Sequence, residues 1–134
     1  MKKILFVVLL IAIALTACGE VSADIRGQWK LVSSGSPSNQ MPAAPDVETS
    51  IEFKDGQMNG NVGCNGFGGD YTVNGDALEF GPVMSTMMFC EGPVGEQELA
   101  TLAVLKESAT FVLDGNMLTI TSADGASVIV LERK

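Results

Sequence analysis

"IEFKDGQM", residues 51–58, is the stretch on which the fold turns. Apolar Ile51 and Phe53 alternate with Glu52 and Lys54; Asp55-Gly56 follows, and then Met58. An Asp-Gly pair suits a two-residue hairpin turn, because both positions accept positive φ. A turn at 55–56 sets Phe53 opposite Met58. Three more dipeptides repeat the arrangement. Asn74-Gly75 sets Tyr71 opposite Leu78, and Asp114-Gly115 sets Phe111 opposite Leu118. Asp124-Gly125 sets Ile120 opposite Ile129 and Leu118 opposite Leu131. Apolar meets apolar at each site, so turn chemistry and register support one another.

Extending outward from these turns predicts strands at 26–33, 49–54, 57–63, 69–73, 76–80, 109–113, 116–121 and 127–132. One helix interrupts them at 95–108, "GEQELATLAVLKES". Glu96 and Glu98 fall in its first turn and Lys106 in its last, as the helix dipole favours. Leu99, Leu102, Ala103 and Lys106 share a face, flanked by Leu105. The segment 33–46, "SSGSPSNQMPAAPD", has no periodicity and reads as a mobile loop. The expected fold is mainly β: a small open or barrel-like antiparallel sheet of about eight short strands, with one helix over an end or a face.

The chain opens with Lys2, Lys3 and an apolar run from Ile4 to Leu15. That run is shorter than the roughly 20 residues a spanning helix needs and has the form of a secretory signal. Leu15-Thr16-Ala17-Cys18 resembles the bacterial lipobox, in which the cysteine is acylated and becomes the first residue. The expected organisation is a signal peptide at 1–17, lipidated Cys18 with a short tether to residue 25, and one domain at 26–134. After cleavage six basic residues face sixteen acidic ones, a net charge of −10. Such a surface repels phosphate backbones and argues against nucleic-acid binding. Gly19, not Asp, follows Cys18. By resemblance to lipoprotein sorting in enteric Gram-negative bacteria, this implies an outer-membrane anchor facing the periplasm, if the host is Gram-negative.

Several segments together carry a family resemblance: "WKL" at 29–31, "GCNGFGGDY" at 63–71, "LEF" at 78–80, "STMMFC" at 85–90 and "EQELATLAVL" at 96–105. In this order they are similar to the META domain family, whose best-known bacterial members are HslJ-like envelope proteins. The resemblance covers about residues 26–134. It implies a small β-barrel-like fold, an envelope location that is often lipid-anchored, and a loose connection with stress responses. It implies no known reaction and no cofactor.

The glycine-rich stretch 63–71 admits several readings. A phosphate cradle needs a glycine loop that feeds a helix N-terminus, usually with a Lys, and neither is present. A metal loop would draw on Met58, Cys64, Met84, Met87, Met88 and Cys90, soft ligands that suit Cu(I); the absence of His argues against a conventional zinc or type-II copper site, soft-metal binding stays as a minority reading, and no metal site is assigned. A disulfide between Cys64 and Cys90 is the one pairing open to an exported chain once Cys18 carries lipid. On that reading Gly63, Gly66, Gly68 and Gly69 let the chain turn sharply and other backbone approach, while Asn65 tolerates left-handed geometry and bonds nearby backbone. Alternate methionines of 84–88 are expected to fill the core. The alternative is an open barrel mouth in which Phe67, Met87, Met88 and Phe89 face an apolar ligand or lipid. No catalytic residues are assigned: Glu52, Asp70, Glu79 and Glu91 offer carboxylates, but no spacing selects two of them. The expected protein is a non-catalytic, membrane-tethered binder of another envelope component.

Overall fold

The computed structural model describes residues 23–134. The expected signal segment and Cys18 lie outside the described residues. The elements in order are β1 (Gly27–Ser36), β2 (Asn39–Pro42), β3 (Ser50–Lys54), β4 (Gln57–Asn61), β5 (Gly66–Asn74), β6 (Ala77–Phe80), β7 (Met84–Ser85), α1 (Gly92–Val104), β8 (Ser108–Asp114), β9 (Met117–Ser122) and β10 (Val128–Arg133). Eight of these strands close into an antiparallel barrel in the order β10-β9-β8-β6-β5-β4-β3-β1, and β1 pairs back onto β10. Closure leaves no long bare edge. The short β2 and β7 pair onto the upper halves of β1 and β5, where β3 and β6 have left those strands.

Alternating residues of every barrel strand point inward and fill the interior. Trp29, Ile51, Phe53, Leu118, Ile129 and Leu131 are fully buried. Phe53 and Tyr71 meet edge to face with ring centroids 5.0 Å apart. The β1–β10 register shifts between Leu31 and Ser33, which leaves Val32 as a bulge. The bulge changes which residues face inward, so Leu31 and then Ser34 are the buried ones.

The hairpins agree with expectation at two turns and differ at two. Asp55 and Gly56 both have positive φ (52° and 77°), and Phe53 pairs with Met58. Ile120 pairs with Ile129 and Leu118 with Leu131, although the connection there is a longer loop across 123–126 with positive φ at Gly125 alone. At the other two sites the turn sits one residue later, at Gly75-Asp76 and Gly115-Asn116. There only the glycine has positive φ (64° and 57°). Glycine is therefore the first turn residue, as in a type II′ turn, and not the second. Tyr71 consequently faces Phe80 and not Leu78, and Phe111 faces Ile120 and not Leu118.

Three other expectations are corrected. The segment 33–46 is not structureless: β1 continues to Ser36 and forms a hairpin with β2 around Pro37-Ser38, with Ser33 paired to Pro42. Proline suits that turn, and Pro42 sits at the end of an edge strand, where a missing donor costs little. The fold also begins before residue 26. Ile25 is buried and its carbonyl accepts the Trp29 indole N–H at 2.8 Å, so the residues just before 26 belong to the domain. The helix, finally, starts at Gly92, which tolerates φ 64°, with Pro93 in the first turn, where proline is acceptable. It ends at Val104. No acidic residue lies in its first turn and no basic one in its last.

The registers define two ends of the barrel. The near end holds the chain entry at Ala23–Arg26, the turns at 55–56, 75–76 and 115–116, and the C-terminus. The far end holds the β1–β2 turn, the corner 62–65, the loop 81–91 and the turn at 124–125. α1 lies across this far end, against β1, β9 and β10.

Candidate functional site

At the far end β4 and β5 part, and the corner Val62–Asn65 leaves backbone groups that no neighbouring strand satisfies. Buried N–H and C=O groups require partners, and α1 supplies them. Its inward face is Gly95, Gln97, Glu98, Thr101 and Val104. The face shared by Leu99, Leu102, Ala103 and Lys106 is mostly outward: Leu99 is 72% exposed, and Ala103 and Lys106 also face solvent, while Leu102 packs partly buried on the core and the flanking Leu105 is fully buried. Gln97 donates to the Val62 carbonyl at 2.5 Å and accepts from Ala44 N–H at 2.8 Å. Glu98 Oε2 accepts the N–H groups of Cys64 (3.1 Å) and Asn65 (2.9 Å). Hydrogen bonds to an ionised carboxylate are worth roughly 1.5–3 kcal/mol each.

Asn65 is the hub of the cluster. Its side-chain N–H₂ donates to Glu98 Oε1 at 2.5 Å and to the Met88 carbonyl at 2.9 Å. Its Oδ1 accepts from Thr86 Oγ1 at 2.8 Å and from Met88 N–H at 2.7 Å. Four partners from two distant segments therefore converge on one buried amide. A disulfide joins Cys64 to Cys90, with Cα atoms 6.4 Å apart. Two glycines make the approach possible: a Cβ on Gly95 would overlap the Cys90 carbonyl, and one on Gly63 would lie 2.9 Å from Glu98 Oε2.

The sequence motif keeps part of its expected basis, since backbone approaches its glycines and Asn65 bonds nearby backbone, but it does so without left-handed geometry. Gly63, Gly66, Gly68 and Gly69 do not adopt positive φ, and neither does Asn65. The stretch is a corner followed by a strand, not a left-handed turn. Gly63, Gly68 and Gly69 are small because other groups press on them; at Gly69 the neighbour is the Pro82 carbonyl, 3.0 Å from where a Cβ would sit. At Gly66 a Cβ would meet nothing within 4 Å, and nothing in the structure explains that glycine. Asn65 is present for its side-chain amide.

Of the expected ligand-facing residues, Phe67 is buried in the core. Met87 (92% exposed), Phe89 (87% exposed), Met88 and Met84 all face solvent. This corrects the expectation that the methionines pack inward. Strand geometry lasts only through Met84–Ser85. Beyond it the loop is held by its backbone and anchors, with Thr86 N–H on the Gly66 carbonyl at 3.0 Å, the Asn65 contacts and the disulfide. The apolar side chains are left outside. The soft-ligand set is scattered as well, because Met58 lies in the core. Among the described residues, Cys64, Cys90 and Glu98 are the group placed to share an ion, with ligand atoms all within 4.8 Å of one another. Glu52, Asp70, Glu79 and Glu91 lie on outward positions, none of them buried. A shallow apolar groove of about 490 Å³ runs between Pro82-Val83 and Leu102, with Lys106 and Glu107 at its rim. Among the described residues no helix is long and apolar enough to cross a membrane.

The architecture defines a class: a closed eight-stranded antiparallel barrel whose far end is capped by a helix and stapled by a disulfide. The family model of the META domain matches residues 23–134, and the chain belongs to that family. It is similar in fold to a protein from Burkholderia xenovorans solved by NMR, at 18% identity and TM-score 0.64, with 81% of each chain covered. It is likewise similar to a DUF4847-family protein from Bacteroides vulgatus solved by crystallography, at 16% identity and TM-score 0.55, over 81% of this chain and 92% of that one. No curated protein matches the chain.

Proposed function

We propose that the protein is a non-catalytic envelope lipoprotein that presents its far-end loop to another envelope protein, in stress tolerance or envelope maintenance. One observation carries this reading. Met84, Met87, Met88 and Phe89 are exposed together on a loop fixed by a disulfide and by Asn65. Exposed contiguous apolar side chains on a rigid loop mark interaction surfaces. The loop stands at the end opposite the chain entry. A tilted nine-residue strand such as β5 places the two ends about 20 Å apart along the barrel axis. A lipid anchor at Cys18 would enter from the near end, so the tip would face away from the bilayer. The occupant is therefore a protein with an apolar pocket, and the net charge of −10 left after signal cleavage favours a basic rim around it.

The test is photo-crosslinking in intact cells with a photoreactive residue at position 87 or, as a control, at Asp76 on the near end. The reading predicts a discrete protein adduct at 87 only. Phe89→Ser should abolish that adduct and shift the melting temperature by little, as exposed positions do. Adducts to lipid, adducts to a second copy of the chain, or equal adducts at both positions contradict it. A second reading, carriage of a small apolar ligand, draws support from the groove beside Leu102. The barrel interior gives it none, since Trp29, Phe53 and Met58 fill that space. Saturable fatty-acid binding lost in Leu102→Asp would favour it.

A further inference from the structure

We propose that, with the disulfide opened, Cys64, Cys90 and Glu98 form a three-ligand site for a thiophilic divalent cation of the zinc class. The carboxylate of Glu98 is buried beside both sulfurs, and none of the ion pairs among the described residues involves it. Its two oxygens are differently occupied. Oε2 is held by two backbone N–H groups, whereas Oε1 faces the sulfurs, 3.8 Å from Cys90 Sγ. A tetrahedral ion with bonds of about 2.3 Å to sulfur and 2.0–2.2 Å to oxygen separates those ligand atoms by about 3.6 Å. The Glu98 Oε1–Cys90 Sγ spacing already meets that requirement, and the two sulfurs reach it once the bond between them is opened and they part.

The surroundings have the form of a metal's outer shell. Asn65 Nδ2 lies 3.7 Å from Cys64 Sγ and 3.6 Å from Cys90 Sγ, so the positive end of the amide dipole faces both sulfurs while its two N–H groups bond Glu98 Oε1 and the Met88 carbonyl. The same amide orients Glu98, as outer-shell groups orient metal-ligating carboxylates. The backbone does not have to move. Gln97 pins α1 to Val62, Gly95 packs on the Cys90 carbonyl, and the 6.4 Å between the cysteine Cα atoms leaves room for the sulfurs to part by side-chain rotation.

The chemistry balances as follows. A dithiol or phosphine reductant delivers two electrons to the S–S bond, and two protons from solvent complete the thiols. The cation then displaces both thiol protons and binds two thiolates and one carboxylate, with a water in the fourth position. A two-electron oxidant that rebuilds the disulfide removes two ligands and releases the ion. The site therefore exists in one redox state and not in the other.

The test uses the full chain in a Cys18→Ser background, so that two thiols remain, with Zn²⁺ and Cd²⁺ as probes. After phosphine reduction we expect one ion per chain by chelator competition, release of about two protons per ion, and a thiolate-to-Cd²⁺ charge-transfer band. The disulfide form should bind none. Cys90→Ser should remove stoichiometric binding. Glu98→Gln should weaken Zn²⁺ by at least about tenfold while keeping the band, since changes even in outer-shell groups cost about 10–100-fold. Glu91→Gln, at an exposed carboxylate, should change nothing. Circular dichroism follows the fold throughout: a reduced chain that unfolds and is refolded by Zn²⁺ supports the site, and one that stays unfolded in Zn²⁺ overturns it. Equal affinity in Glu98→Gln, binding by the disulfide form, or no binding by a folded reduced chain also overturns it.

Discussion

The two ends of this barrel are closed by different physics. The near end is closed mainly by local turns. Two-residue turns join neighbouring strands, and the C-terminal strand adds one distant contact: Arg133 stacks 4.3 Å from the Trp29 ring centroid while its guanidinium donates to the Arg26 carbonyl, 107 positions earlier, at 2.6 Å. The far end is closed at long range. Glu98 reaches a corner 33 and 34 positions earlier in the chain, and the disulfide spans 26. A barrel can therefore tie one mouth by turn chemistry and hold the other by a few buried polar groups, leaving that second mouth free to carry an exposed loop.

If the ends differ in this way, lesions at the far end should cost more than lesions at the near end. The largest effect is expected from removing the staple. Cys64→Ala with Cys90→Ala should destabilise by about 3–4 kcal/mol on the loop-entropy account, measured by urea unfolding. A loss below about 1 kcal/mol would mean that the polar cluster holds the far end unaided. Next is Asn65→Ala, which strips partners from Glu98, Met88 and Thr86 together. About 2–3 kcal/mol is expected, since each unsatisfied buried group costs ~1–3 kcal/mol.

At the near end, Gly56→Ala forces a side chain into left-handed geometry for about 1–2 kcal/mol. A cost equal to that of Asn65→Ala would erase the contrast between the ends. The smallest effect concerns Asp24. Its side-chain hydrogen bonds to Arg26, and then the Arg26 backbone N–H, hold the carboxyl well below its ordinary range. A depressed carboxyl contributes stability that is present above its unfolded value of about 4 and is lost as pH falls through the folded one. The melting-temperature gap between wild type and Asp24→Asn should be constant above about pH 5 and close toward pH 2. A gap that widens on acidification would contradict the pairing. Because the pair is exposed, the gap should be slight.

The same contrast explains what was legible in the sequence. Alternation and Asp-Gly or Asn-Gly turns are local signals, and they give the strands and the barrel-like sheet. The slip at Gly75 and Gly115 was hidden for a physical reason. Asn74-Gly75-Asp76 and Asp114-Gly115-Asn116 each contain two usable turn frames, and moving a turn by one residue moves the pairing by two. Each side chain therefore keeps its face, and the hydrophobic pattern cannot tell the frames apart. The inward face of the helix is hidden for the opposite reason. Leu99 and Leu102 make an apolar stripe, whereas the demand that turns Gln97 and Glu98 inward comes from a backbone corner far away in the chain. No local window contains that corner. The turn at Pro37-Ser38 was present in the composition but lay within a segment whose prolines and serines read as loop.

The central claim is that α1 seals the barrel with its polar face. It is tested most directly by two exchanges of opposite sense on adjacent helix positions: Glu98→Leu, which adds apolar surface, and Leu99→Glu, which removes it. Both are read as thermal and urea unfolding of the disulfide-bonded protein. If the polar face is inward, Glu98→Leu loses about 3 kcal/mol or more, because it orphans the Cys64 and Asn65 N–H groups. Leu99→Glu then changes stability by no more than about 0.5 kcal/mol, as an exposed site does. A neutral or stabilising Glu98→Leu together with a strongly destabilising Leu99→Glu would place the leucine stripe against the barrel and contradict the account.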